Sequence, residues 1–137
     1  MEAKRVLVNG QVDAKPVVFG QDVGEVAVAS DGSDYLVFWT HWVVNSDTEL
    51  LAARVSASGT LLDTVPLRIA ASTGIGYIHA AFDGSEYVVA YNEGYDLRIA
   101  RIARNASTAE VANTPCTGGH ITGFAWGGGD GLLTSYV

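Results

Sequence analysis

The stretch SDGSDYLVFW, residues 30–39, decides how this chain is read, because it returns as FDGSEYVVAY at residues 82–91 and, in worn form, as WGGGDGLLTSY at residues 126–136. Asp31 and Asp83 stand 52 residues apart. Asp-Gly between two apolar runs signals a hairpin: glycine takes positive φ without a Cβ clash, and the aspartate side chain accepts from backbone N–H groups ahead of it. Asp31 with Gly32, and Asp83 with Gly84, are therefore read as turn residues joining antiparallel strands. In the third copy, GGGDG at 127–131 reads as one residue longer than its counterparts, with Trp126 aligned to Phe82 and Ser30.

Outward from these turns the repetition continues. RVLVNGQVDAKPVVFG from Arg5 returns as RVSASGTLLDTVPLRIA from Arg54, and faintly as RIARNASTAEVANT from Arg101. These arginines are 49 and 47 residues apart, a drift that loops of unequal length produce between strands of constant length. A period of this size marks stacked supersecondary units that cannot bury their apolar faces alone. Four strands fit each period: 77–82, 87–91, 97–103 and 110–113 in one copy, and 26–30, 35–39, 50–56 and 67–70 in the copy before it. Further turns are expected at 56–60 and 8–11, between third and fourth strands. The chain opens on a third strand at 3–8 and a fourth at 17–20, and closes on a first strand at 121–126 and a second at 132–136. One domain, 1–137, thus holds about three permuted repeats, approximately 3–48, 49–95 and 96–137.

Residues 35–39, 50–53 and 87–91 are apolar on both faces, where a half-buried strand would alternate. Each sheet is expected to be covered on both sides. An all-β fold of four-stranded antiparallel sheets stacked face to face around an axis is a β-propeller. The recurring DGxxY-hydrophobic-W/Y phrase, followed by ARVxxxGxxLD and a short PLxI segment, resembles the blade repeats of bacterial, often extracellular, tandem-repeat propeller proteins. The resemblance covers almost the whole chain. It implies blades and carries no catalytic residue across, and the third copy departs from it by losing Asp-Gly-Ser and the tyrosine that matches Tyr35 and Tyr87. Three blades do not close a ring, since propellers use about four to eight. Two chains related by a two-fold axis would complete each other's terminal half-blades, giving a homodimer of six blades. A β-trefoil or β-prism monomer remains the alternative architecture.

Composition narrows the function. The longest uninterrupted apolar runs are 35–39 and 87–91, far short of a bilayer span, so no membrane insertion is expected. Residues 1–10 lack the apolar core of a secretory signal, which places the chain in the cytoplasm as written, or outside the cell if a signal precedes it. Cys116, the one cysteine, allows neither an intrachain disulfide nor a paired thiolate site. A net charge of −7 without a basic cluster disfavours nucleic acid.

Candidate chemistry is sparse. His41, His79 and His120 lack HxH or HExxH spacing, and the DGSD and DGSE turns are too short for a calcium loop, so neither metal nor cofactor is expected. Glu25, Glu93 and Asp96 form no evident acid/base pair, there is no GxSxG, and Ser135 and Cys116 have no recognisable partners. A hydrolase or lyase at a channel mouth would need His79, His120 and acidic groups to converge. No catalytic residue is assigned. Aromatic residues lead toward binding instead. Trp39 and Tyr91 recur in phase and read as core. Trp42 lies in what reads as a long loop, 40–49, beside His41 and Asn45, and the matching segment NEGYD offers Asn92 and Tyr95. Loops on rigid scaffolds carry function, and an exposed Trp among polar groups suits a sugar face. Trp42, His41, Asn45, Asn92 and Tyr95 are therefore the candidate ligand-binding set. The expected partners are a second copy of the chain and a carbohydrate or another protein; the alternative role is a structural segment of a larger repeat protein.

Overall fold

The computed structural model describes residues 1–44 and 47–136, the side chains of 113–117 and 136 lying outside the description. The described residues form strands and turns without helix. Two antiparallel meanders are complete. Sheet one runs β3 (Val23–Ser30), β4 (Asp34–Trp42), β5 (Asp47–Ser56) and β6 (Leu67–Thr73); sheet two runs β7 (Ile75–Phe82), β8 (Tyr87–Glu93), β9 (Asp96–Ile102) and β10 (Ala109–Thr117). Two half-sheets flank them: β1 (Glu2–Ala3) with β2 (Val17–Val18), and β11 (His120–Trp126) with β12 (Gly131–Tyr136). No described strand pairing crosses from one sheet to another, so among the described residues the barrel pairing of a β-trefoil is absent and no ring closes.

The repeated turns explain why β3 meets β4 and β7 meets β8. The Oδ1 of Asp31 accepts from the N–H groups of Ser33 and Asp34, each at 2.8 Å, and that of Asp83 from Ser85 and Glu86 at 2.8 and 2.7 Å. Gly32 and Gly84 supply φ of 88° and 100°. These turns set the pairs Ser30↔Tyr35 and Phe82↔Tyr87, and the third copy sets Trp126↔Gly131 across the same four-residue connection. The third turn is therefore not longer than the others. Loss of the aspartate at Gly127 hid the register; the Gly127 N–H still reaches the carbonyl of Asp130 at 3.0 Å, as Asp31 reaches Asp34 and Asp83 reaches Glu86. Gly131 stands where the other copies carry tyrosine. A Cβ there would lie 2.8 Å from the Phe124 ring and 3.0 Å from Trp126, so two aromatic rings fill the tyrosine's space.

Most strand ends shift by a few residues from the sequence reading, and two differences change the nature of a segment. Residues 40–42 and 47–49 are ladder, not loop: β4 runs to Trp42, opposite Thr48, and the Val43 N–H reaches the carbonyl of Asp47 at 2.9 Å. Alternating Thr40, His41 and Trp42 opposite Thr48, Glu49 and Leu50 lets the antiparallel pairing continue. The segment expected to be strand over 3–8 is regular only at Glu2–Ala3, after which a Val6↔Val12 bridge and a Leu7–Gln11 turn take over. The same device follows β5, where Val55 bridges Leu61 around a Ser56–Thr60 turn. Each device carries its own ion pair, Arg5 with Asp13 and Arg54 with Asp63, both at 2.6 Å.

The main core lies between the two complete sheets, where Leu36, Phe38, Leu50 and Ala52 of sheet one meet Ile78, Tyr87, Val89 and Tyr91 of sheet two. A second core, of Val37, Trp39, Ala53 and Val55 with Val17 and Phe19, covers part of sheet one's opposite face. Sheet one thus buries alternate residues on both faces, as the unbroken apolar run 35–39 requires.

Polar contacts reinforce these seams. Glu25 in β3 accepts from the N–H of Ile78 in sheet two at 3.0 Å. Arg104, in the loop after β9, reaches the carboxylate of Asp31 on sheet one's turn. That guanidinium, helped by the turn's own N–H groups, lowers the Asp31 pKa from 3.8 to about 2. A carboxylate whose pKa is depressed by folding stabilises the fold above its unfolded pKa, and the contribution disappears as pH falls through the folded value. We expect the gap in urea midpoint between the parent chain and Asp31→Asn, which keeps the turn acceptor, to close between about pH 4 and pH 2. A gap that stays constant across this window would remove Arg104–Asp31 from the seam.

Candidate functional site

An apolar groove lies on the face of sheet one that looks away from sheet two. Its volume is about 340 Å³, and Val26, Val28, Tyr35, Val37 and Val55 form its floor, with the segment from Ala3 to Val6 along one side. It exists because β1 and β2 cover only part of that face. Val17 and Phe19 lie over Val37 and Trp39, whereas none of the described core residues covers the inner half.

Repetition supplies an internal control for how this surface behaves when covered. Tyr35 and Tyr87 hold the same register position after their turns, yet Tyr35 is 37% exposed and Tyr87 is 0% exposed. The difference lies in the neighbour: Tyr87 packs against sheet one, beside Asp31, and burial raises its phenol pKa to about 12. Val28 matches Ala80, which packs in the main core, and Val28 is 56% exposed.

The other end of the stack shows the complementary deficit. Leu36, Val88 and Leu132 each follow the residue that closes the turn (Tyr35, Tyr87 and Gly131), and each is on the face away from the preceding sheet. Leu36 and Val88 are buried at 0% and 1% exposure under the next sheet; no described sheet covers Leu132, which is 71% exposed. Ala29, Ala81 and Ala125 run the same way, from buried to exposed. One end of the chain therefore carries an uncovered groove, and the other an uncovered aliphatic ridge.

The residues read from the sequence as a ligand set do not gather. Trp42 is exposed at the end of β4, its indole over Gly24, where a Cβ would come within 3.3 Å of Nε1. His41 lies 3.5 Å from Glu49, which also pairs with Arg68. Asn45 lies outside the described residues. Asn92 is buried, and its amide is engaged: Nδ2 donates to the carbonyl of Gly119 at 2.9 Å, and Oδ1 accepts from the N–H of Ile121 at 3.1 Å. It ties sheet two to the β11–β12 hairpin. Tyr95 is exposed on the turn after β8, 6.3 Å from the ring of His120, which in turn stacks on Tyr77 at 4.2 Å. Tyr77 adopts a φ of 52° within the bulge at the start of β7.

Among the described residues no group of three or more His, Cys, Asp and Glu is placed to hold a metal ion. The carboxylates with shifted ionisation all move downward. Asp13, Asp63 and Asp83 are held ionised by arginine or by turn N–H groups, and Glu93 by Ser72 and Arg98. They serve as structural anions, whereas a general acid at neutral pH needs the opposite shift. Sequence reading missed the groove because exposure depends on what lies across from a strand, which no local pattern encodes; the two unequal ends of the repeat array were its available signal. Compared with known proteins, the chain matches no family model, no curated protein and no solved structure.

Proposed function

We propose that this chain is a non-enzymatic interaction module, a propeller half of about three blades that self-associates so that two copies close a ring of six. Sheets one and two are then complete blades, and the half-sheets at either end are each half of a composite blade. The single observation that carries the reading is the contrast among equivalent residues: Tyr35, Val28 and Leu132 are open at the ends of the stack, while Tyr87, Ala80 and Leu36 are covered inside it. An interface of standard size buries about 1,600 Å² in total, and apolar area contributes roughly 25 cal/mol per Å², enough to offset the cost of association. Of the residues read as sugar-binding, Asn92 is engaged within the fold and Trp42 stands apart from Tyr95 in sequence and sheet, so the observations favour the groove over a carbohydrate site. Sedimentation or light scattering on the folded chain is expected to give twice the 14.4 kDa chain mass. A folded species at 14.4 kDa across the micromolar range would defeat the reading.

A further inference from the structure

The two uncovered surfaces match each other. Inside the chain, Ala29 and Leu36 of sheet one press on the face of sheet two that holds Ile78, Ala80 and Tyr87. Ala125 and Leu132 repeat the first surface at the C-terminal hairpin, and Val26, Val28 and Tyr35 repeat the second on sheet one. We infer that the groove is occupied by the β11–β12 hairpin of a second copy, with Leu132 entering between Val26, Val28 and Tyr35, and that the free edge of β12 pairs with the second copy's β1 to build one four-stranded sheet from two chains. The inference rests on the self-association reading and names the surfaces that carry it.

Strand count and register both support this assignment. Two strands at each end sum to the four of each complete sheet, and β12 and β1 each have a hydrogen-bonded neighbour on one side alone among the described strands. In sheet one, Leu51 pairs with Trp39 and Ala52 with Phe38. Transferred through the repeat, this sets Glu2 and Ala3 of one copy opposite Ser135 and Thr134 of the other. Val6 then takes the place of Val55, which is buried in sheet one, whereas Val6 is exposed in the single chain. The seam between sheets one and two carries the Arg104–Asp31 and Glu25–Ile78 contacts, but Gly127 replaces the turn aspartate at this outer seam, so the contact is apolar and its affinity is expected to change little with salt.

The test is a charge swap in the full chain. Leu132→Asp and Val28→Lys each alter a side chain that the single chain leaves exposed, so circular dichroism is expected to stay at the parent spectrum. Each variant alone is expected to weaken self-association at least tenfold by sedimentation equilibrium. An equimolar mixture is expected to recover the dimer, because one seam is then unaltered and the other sets Asp at 132 against Lys at 28. Full-affinity dimers from both single variants would overturn this interface while leaving self-association standing. A mixture that stays monomeric would overturn the pairing of these two surfaces. A parent chain that is itself a folded monomer would instead remove the reading beneath the inference.

Discussion

Phe38→Ala is expected to cost about 3–5 kcal/mol, the range for truncating a fully buried aromatic ring. Phe38 is at the centre of the main core with no exposed surface, and it faces sheet two across the seam that joins the two complete sheets. Its loss opens a cavity lined by aliphatic side chains on both sheets, and antiparallel ladders fixed by their turns collapse poorly into such a space. A domain of this size is stable by roughly 5–15 kcal/mol, and one that leaves apolar faces uncovered belongs toward the lower end. Urea unfolding followed by far-ultraviolet dichroism is the measurement. With a slope of about 1–3 kcal/mol per molar, the midpoint falls by more than 1 M. A shift of a few tenths of a molar would mean that the two sheets do not share one cooperative core.

Asn92→Leu is expected to release the β11–β12 hairpin while sheets one and two remain folded. The substitution removes both partners of a buried bridge, leaving the N–H of Ile121 and the carbonyl of Gly119 unsatisfied, at about 1–3 kcal/mol for each group. The hairpin's other holds on sheet two are the buried Ile121, the His120–Tyr77 stack and the Arg101 guanidinium over the Trp126 ring; an isolated two-strand ribbon is marginal in water, and Leu132 is largely exposed. Amide hydrogen exchange separates the local effect from the global one. Residues 120–136 should lose protection by two or more orders of magnitude, with β4 and β8 unchanged. Equal loss across all strands would show that the bridge supports the whole fold. Because the hairpin is also the inferred donor to the groove, the same variant should fail to dimerise.

Much of this architecture was legible in the sequence. The Asp-Gly turns fix the hairpins by backbone chemistry that needs no tertiary context, and runs such as 35–39 announce burial on both faces because no polar residue interrupts them. Trp39 and Tyr91 are buried, as their recurrence in phase predicted. What was not legible depended on partners distant in the chain. Trp42 read as a loop residue because polar neighbours surround it, yet the strand opposite supplies ladder bonds that carry β4 through it. Asn92 read as a binding residue because it sits near an Asn-Glu-Gly turn; only the bulged backbone at Ile121, 29 residues away, reveals its use. The third turn was misjudged in length because glycine has no side chain with which to mark its place.

A body that bears a socket at one end and its matching plug at the other is inherently able to polymerise. Whether two such bodies embrace or a long filament grows is settled by the bend accumulated from β1 to β12: a half-turn per molecule satisfies both ends at once, and anything straighter leaves one end hungry for the next molecule. The contacts of Glu25 with Ile78 and of Arg104 with Asp31 set part of that bend. If the two surfaces mate as inferred, their chemistry, though remote from the groove, bears on the choice between a discrete particle and a fibre.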